Sequence, residues 1–249
     1  MASFASLRMT AGTRDPSAPV ACYPPMNSPV SADPPAHLIS IQTGLPRTVG
    51  DPGATDRMER RFTSAIWKSP VTGPVQLGTL GLAGDAVANT KVHGGPEQAV
   101  LMYALSHYPA WQRELGRPLE PGAFGENLSV DRLTEDTVCI GDVFEIGDAR
   151  LQVSQPRQPC ATLARRHRVP NMIALVLHNG RSGWYLRVLR EGSLEAGQEV
   201  RLTERPHGEW SVRRAARAMV NRAHDPMEAA TLAACPALSP GWRATLAKV

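Results

Sequence analysis

Lysine is almost missing from this chain: it occurs only at Lys68, Lys91 and Lys248, so nearly all of the 27 basic residues are arginine. Arginine's planar fork suits bidentate pairing with phosphate or carboxylate, although a bias toward it does not by itself make a site. Aromatic residues make up only 5% of the sequence and the net charge is +4, too little stacking and basic surface for a nucleic-acid polymer. No run of about 18 apolar residues occurs, which excludes a membrane-spanning helix. Arg8 and Arg14 are not followed by an apolar stretch and a small-residue cleavage site, so no secretory leader is expected. Cysteine is scarce too. Cys22, Cys139, Cys160 and Cys235 lack the density of a disulfide scaffold and any C-x-x-C spacing, and no Cys and His set has the spacing of a tetrahedral zinc site. A reducing cytoplasm is the expected home. A GxGxxG before a helix, a GxxxxGK[ST] and a GxSxG are all missing, which removes the common dinucleotide, P-loop and serine-hydrolase routes.

What is present divides into three segments. Residues 1–36 hold seven prolines without apolar periodicity, and are expected to be a disordered or non-native extension outside core and active site. Residues 37–205 alternate short apolar strands with glycine turns: 38–41, 62–67, 75–77, 100–103, the run 144–153 around Gly147-Asp148, 185–189 and 199–202. Residues 106–115 predict a helix with Pro109 in its first turn. This grammar predicts a mainly β fold, a closed or partly open barrel with a few helices. From 206 to 249 the period changes. Ser211, Asp225-Pro226-Met227-Glu228 and Ser239-Pro240 predict three helix starts, Glu228 answering Asp225 in a reciprocal cap. Each helix is too short to stand alone, so the three form a small appendage packed on each other or on the barrel.

Chemistry concentrates in Ser154-Gln155-Pro156-Arg157-Gln158-Pro159-Cys160. A thiol directly after a proline has its approach pre-set, and Arg157 brings positive charge toward whatever the sulfur holds. The hairpin before it delivers the cysteine from a strand end. Lys91-Val92-His93-Gly94-Gly95-Pro96 reads either as a ligand-lining loop, with Lys91 and His93 facing a polar group, or as a stabilised surface turn. In Phe124-Gly125-Glu126-Asn127-Leu128, Asn127 either donates to a ligand or caps backbone locally. Arg165-Arg166-His167-Arg168 is a solvated face or an anion site. Cys139, between Val138 and Ile140, reads as a core thiol. Residues 171–178 are buried but ambiguous in type.

Taken in order, the motifs beginning at Lys91, Phe124 and Ser154 resemble those of the MOSC domain, the module named after the C-terminal domain of molybdenum cofactor sulfurase. The arrangement is most similar to stand-alone bacterial proteins of the YiiM type, which carry a C-terminal three-helix domain. The resemblance implies a MOSC-type β-barrel that binds a molybdenum–pterin cofactor of the molybdopterin type, with Cys160 as metal ligand. By the same resemblance, Lys91, Asn127, Ser154 and Arg157 surround the cofactor. It implies reduction of N-hydroxylated compounds, such as hydroxylamino purine analogues, with electrons from a separate flavin-containing reductase. His93 is the candidate catalytic proton donor, because histidine titrates near neutrality. A sulfur-carrying (persulfide) or cofactor-handling role for Cys160 is the alternative, and a homodimer is left open.

Overall fold

The computed structural model describes residues 34–248. Strands β1 (Ala36–Thr43), β2 (Arg47–Val49), β3 (Phe62–Ser64), β4 (Ser69–Val71), β5 (Val75–Gly78), β6 (Gly81–Leu82) and β7 (Val100–Ala104) precede helix α1 (Tyr108–Leu115). Then come β8 (Leu128–Val130), β9 (Val143–Ile146), β10 (Ala149–Pro156), α2 (Ala161–His167), α3 (Met172–Asn179), β11 (Trp184–Arg190), β12 (Gly192–Leu194) and β13 (Glu199–Glu204). Helices α4 (Val212–Asn221), α5 (Pro226–Ala233) and α6 (Pro240–Leu246) finish the chain. No helix among the described residues is long and apolar enough to cross a membrane.

Seven strands run in the order β13, β9, β10, β11, β7, β8, β1. The pairing of Ala36 with Val200 brings β1 back to β13, so the sheet closes on itself and has no free edge at that seam. The barrel is mixed: β7 and β8 are parallel, Met102 beside Leu128, while the other pairs around the ring are antiparallel. A parallel pair needs a crossover, which α1 and the loop after it supply. Irregular register between β10 and β11 after Arg150 and Val153 adds the local bend a small barrel requires. The hairpin expected around Gly147-Asp148 is formed, with Ala149 opposite Ile146 and Gly147 at positive φ.

The barrel interior and the C-terminal helices share one apolar core, in which Leu38, Met102, Leu151 and Trp184 are continuous with Trp210, Leu232, Trp242 and Leu246. A second cluster packs α1, α2 and α3 around Tyr103, Tyr108, Trp111 and Phe124. Four of the scarce aromatics thus meet in this second cluster. Tyr103 stacks on Phe124 with centroids 4.7 Å apart, and Trp111 Nε1 donates to Tyr103 Oη at 2.7 Å.

Several local expectations change in the structure. Ala36, assigned from sequence to the N-terminal extension, opens β1 and is buried; residues 1–33 lie outside the described residues. The arginine-rich stretch 165–168 belongs to α2 and its C-terminal residue, and residues 171–178 resolve as helix α3. Ser211, Asp225 and Ser239 all cap as predicted, accepting from Arg214, Glu228 and Trp242 N–H groups. The reciprocal half of the Asp225 cap is absent. Glu228 instead accepts from Arg214 Nε at 2.9 Å, because α4 passes close by and a charged partner is the stronger one; the Asp225 N–H is taken by Asn221 O.

Candidate functional site

Strand β10 ends at Pro156, and Arg157 N–H still donates to Gly183 O at 3.0 Å. Three residues later Cys160, in extended conformation, is the residue before the first turn of α2. Its position is therefore set from both sides: by the barrel through β10 and by the aromatic cluster through α2, whose Leu163 and Ala164 are buried in that cluster. Ser154 is fully buried, its hydroxyl donating to Glu97 O at 2.6 Å and lying 3.1 Å from Tyr185 O. It ties β10 to the turn that follows the glycine pair.

That turn explains the glycines. Gly94 and Gly95 have φ of 77° and 81°, a left-handed region that L side chains rarely adopt, and the resulting bend brings His93 to the thiol. Cys160 and His93 then face one cavity of about 430 Å³, together with Arg157, Asn127, Arg165 and Tyr185. Burial pushes the Cys160 thiol up, but a hydrogen bond from His93, the charge of Arg157, the Leu163 N–H and the Thr162 side chain outweigh it and bring it down to about 6. Near neutral pH the sulfur is mostly thiolate.

Positive charge lines the same cavity with unused donors. Arg157 is 6% exposed, and its Nη1 has no hydrogen-bond partner among the described residues; the same holds for Nε and Nη2 of Arg165. Arg165 lies over the Phe62 ring at 3.7 Å, which orients the guanidinium without using its N–H groups. A buried donor left unpaired is costly, so such atoms mark where an acceptor belongs. Across the cavity stands an ion pair that sequence reading missed, Lys68 with Asp85. Desolvation lowers the Lys68 pKa although Asp85 opposes it. Asp85 also accepts from Gly44 N–H at 2.8 Å and from Asn127 Nδ2 at 2.8 Å. Asn127 Oδ1 accepts from Leu101 N–H at 3.2 Å, so its amide is largely committed to the wall.

The predicted site residues therefore separate. Cys160, His93, Arg157 and Asn127 meet at the cavity. Lys91 does not line it: the side chain is exposed and its N–H is held by Asn89 Oδ1 at 3.2 Å. Ser154 does not line it either, its hydroxyl being spent on two carbonyls. The arginine-rich stretch splits as well. Arg165 faces the cavity, whereas Arg166 donates to Ile66 O and to Gly122 O and is lowered to about 10 by burial. Arg168 is exposed in a left-handed cap. Cys139 and Cys235 are buried away from the cavity, and Cys139 is raised by burial. Among the described residues no group of three or more His, Cys, Asp or Glu is arranged to hold a metal ion.

A closed mixed barrel with one presented thiolate and a C-terminal helix trio defines the class. The MOSC domain family model matches residues 89–201, and the model of the YiiM-like, 3-alpha helix domain matches residues 210–248. YflK of Bacillus subtilis (strain 168) is 39% identical over 211 residues, covering 85% of this chain and 93% of that one. The crystal structure of YiiM from Geobacillus stearothermophilus superposes with a TM-score of 0.72 at 36% identity, covering 86% of this chain and 98% of that one. A protein named Reductase from Gibberella moniliformis (strain M3125 / FGSC 7600) is 42% identical over 157 residues, 61% of this chain but only 28% of that longer protein. The chain belongs to the MOSC-domain family, in the YiiM-like group that carries a C-terminal three-helix domain.

Proposed function

We propose that this protein reduces N-hydroxylated compounds to amines, using a molybdenum–pterin cofactor held at Cys160 and electrons from a separate flavin-containing reductase. Family membership ties it to molybdenum-cofactor chemistry. The observation that carries the reading is the Cys160 thiolate, held at about 6 in a cavity whose wall offers the unpartnered donors of Arg157 and Arg165. The donor set fits the group. With no cluster of His, Cys, Asp or Glu among the described residues, a metal at Cys160 would have to bring most of its ligands with it, as a dithiolene pterin does, and a soft thiolate suits such a centre. The free guanidinium N–H groups match a phosphate. When bound, the group supplies two-electron redox chemistry.

The chain's own residues do the rest. Cys160 would supply the protein's ligand to the metal, its sulfur kept ionised by His93 and Arg157, and Arg165, braced on Phe62, would hold the anionic part of the cofactor. Conversion of R–NHOH to R–NH2 and water consumes two electrons and two protons. His93, which lines the same cavity as Cys160, would deliver a proton to the departing hydroxyl. The Lys68, Asp85 and Asn127 network keeps the opposite wall rigid and polar. The fungal relative named Reductase, of which the matched segment is 28%, supports pairing with a reductase.

The test is metal and pterin analysis of protein made in a host able to build the cofactor, followed by turnover of an N-hydroxylated purine with dithionite-reduced methyl viologen. Stoichiometric molybdenum with amine formation supports the proposal. Stoichiometric cofactor without turnover would favour the carrier role, which the same low-pKa thiolate also suits.

A further inference from the structure

A second cleft, also about 430 Å³, borders the cysteine segment. Arg157 borders both cavities; Gln158 and Pro159 border only the second, Cys160 only the first. The segment is therefore a shared wall. One side of it faces the thiolate cavity, and the other lies one residue from the thiolate through covalent bonds.

The second cleft is formed between α3 and α4. Its floor is apolar and buried, with Val176, Met219 and Trp242 at 1%, 3% and 5% exposure. Its lip is apolar and exposed, Leu177 at 50% and Val220 at 53%. Around it stand His178, Arg213 and Arg217, and no Asp or Glu lines it. Arg213 is engaged by Asp136, whereas Arg217 has no ion-pair partner among the described residues. An apolar pocket flanked by the unpaired Arg217 and lined by no carboxylate has the form of a protein docking site for an acidic surface.

We propose that this cleft docks the electron donor, an acidic flavin-containing protein that seats an apolar side chain between Leu177 and Val220 and sets carboxylates against Arg217 and His178. The inference rests on the reductase reading above. The reduced flavin gives up two electrons and two protons as the N–O bond breaks, leaving amine, water and oxidised flavin. Because the donor sits behind the shared wall, the first cavity stays open to substrate.

The experiment compares two donors on the cofactor-loaded full chain: dithionite-reduced methyl viologen, and an acidic NADPH-dependent diflavin reductase as the protein probe. The substituted positions are exposed, so L177E/V220E is expected to fold. It should raise the KM for the reductase by about tenfold or more, the scale of losing a central contact, with an unchanged viologen rate. R217E should weaken the salt dependence of the reductase-driven rate. V92E probes the competing face beside the first cavity. Docking at the second cleft is overturned if L177E/V220E leaves the reductase KM unchanged, if it lowers both donor rates alike, or if V92E alone raises that KM. It is also overturned if wild type turns over with viologen but takes no electrons from the reductase, or if the cleft proves to join two copies, seen as a sedimenting dimer that L177E/V220E dissociates. Wild type inert with viologen would instead sink the reductase reading and this inference with it.

Discussion

In the cofactor-free chain, alkylation of Cys160 by iodoacetamide should follow a titration near pH 6, well below the ordinary thiol value of 9.0. At pH 5 a group with that pKa is about 10% thiolate, against about 0.01% for an unperturbed thiol, an excess of roughly a thousandfold. A less basic thiolate is also a poorer nucleophile. A Brønsted slope of about 0.4–0.5 over about three units returns a factor of roughly 15–30. Cys160 should then react roughly 30–60 times faster than a free thiol at pH 5, but only a few times faster at pH 7, before any steric slowing. Partial burial lowers the absolute rate and leaves the midpoint alone, so the midpoint is the quantity to measure. Peptide mapping by mass spectrometry across pH 4–10 resolves it from Cys139 and Cys235. His93→Ala removes a hydrogen bond to the thiolate and should move the midpoint upward. A wild-type midpoint above about pH 8, or a His93→Ala profile that overlays wild type, would refute the electrostatic account of the site.

Cys160→Ser should lose molybdenum from a folded chain, because a hydroxyl is a hard and weakly acidic ligand; Cys139→Ser should lower the melting temperature yet keep metal and turnover, and metal per folded chain decides between them. His167, which accepts from Arg117 at 2.8 Å and meets Ala123 O at 2.9 Å, is pushed down by burial to about 4. The unfolded chain therefore binds the extra proton between pH 6.5 and 4, and stability should fall across that window as pH drops, by on the order of 3 kcal/mol; urea unfolding of His167→Gln should show a flatter profile. Arg166→Met strands two carbonyls and should cost about 2–4 kcal/mol, whereas Arg165→Gln should leave the melting temperature near wild type and release the pterin, as read by cofactor fluorescence after gel filtration. Ser239→Ala removes the α6 cap and a 2.6 Å bond to Gln155, a loss of about 1–2 kcal/mol expected in thermal unfolding.

Signals that live within a few residues were legible from the chain alone. The period-two run 144–153 around Gly147-Asp148, the three Ser or Asp caps, and the buried setting of Cys139 depend on neighbours in sequence, and each was readable as such. So was the cysteine held after Pro159, since proline and strand end are local facts. Residues 163–169 and 171–178 were harder. Their charge and apolar runs fit more than one backbone, and only packing on Tyr103, Trp111 and Phe124 selects helix. Tertiary structure alone decided which polar groups share a cavity. Lys68 and Asp85 are 17 residues apart and meet because β1, β4 and the loop after β6 converge. Arg165 and Arg166 are adjacent, yet helical geometry turns one toward the cavity and the other onto backbone carbonyls. Lys91 and His93 lie in one motif, but the positive-φ glycines carry only His93 inward. Sequence neighbours determine backbone tendencies; a side chain's partner is set by long-range closure of the barrel, which brings together residues that no local pattern links.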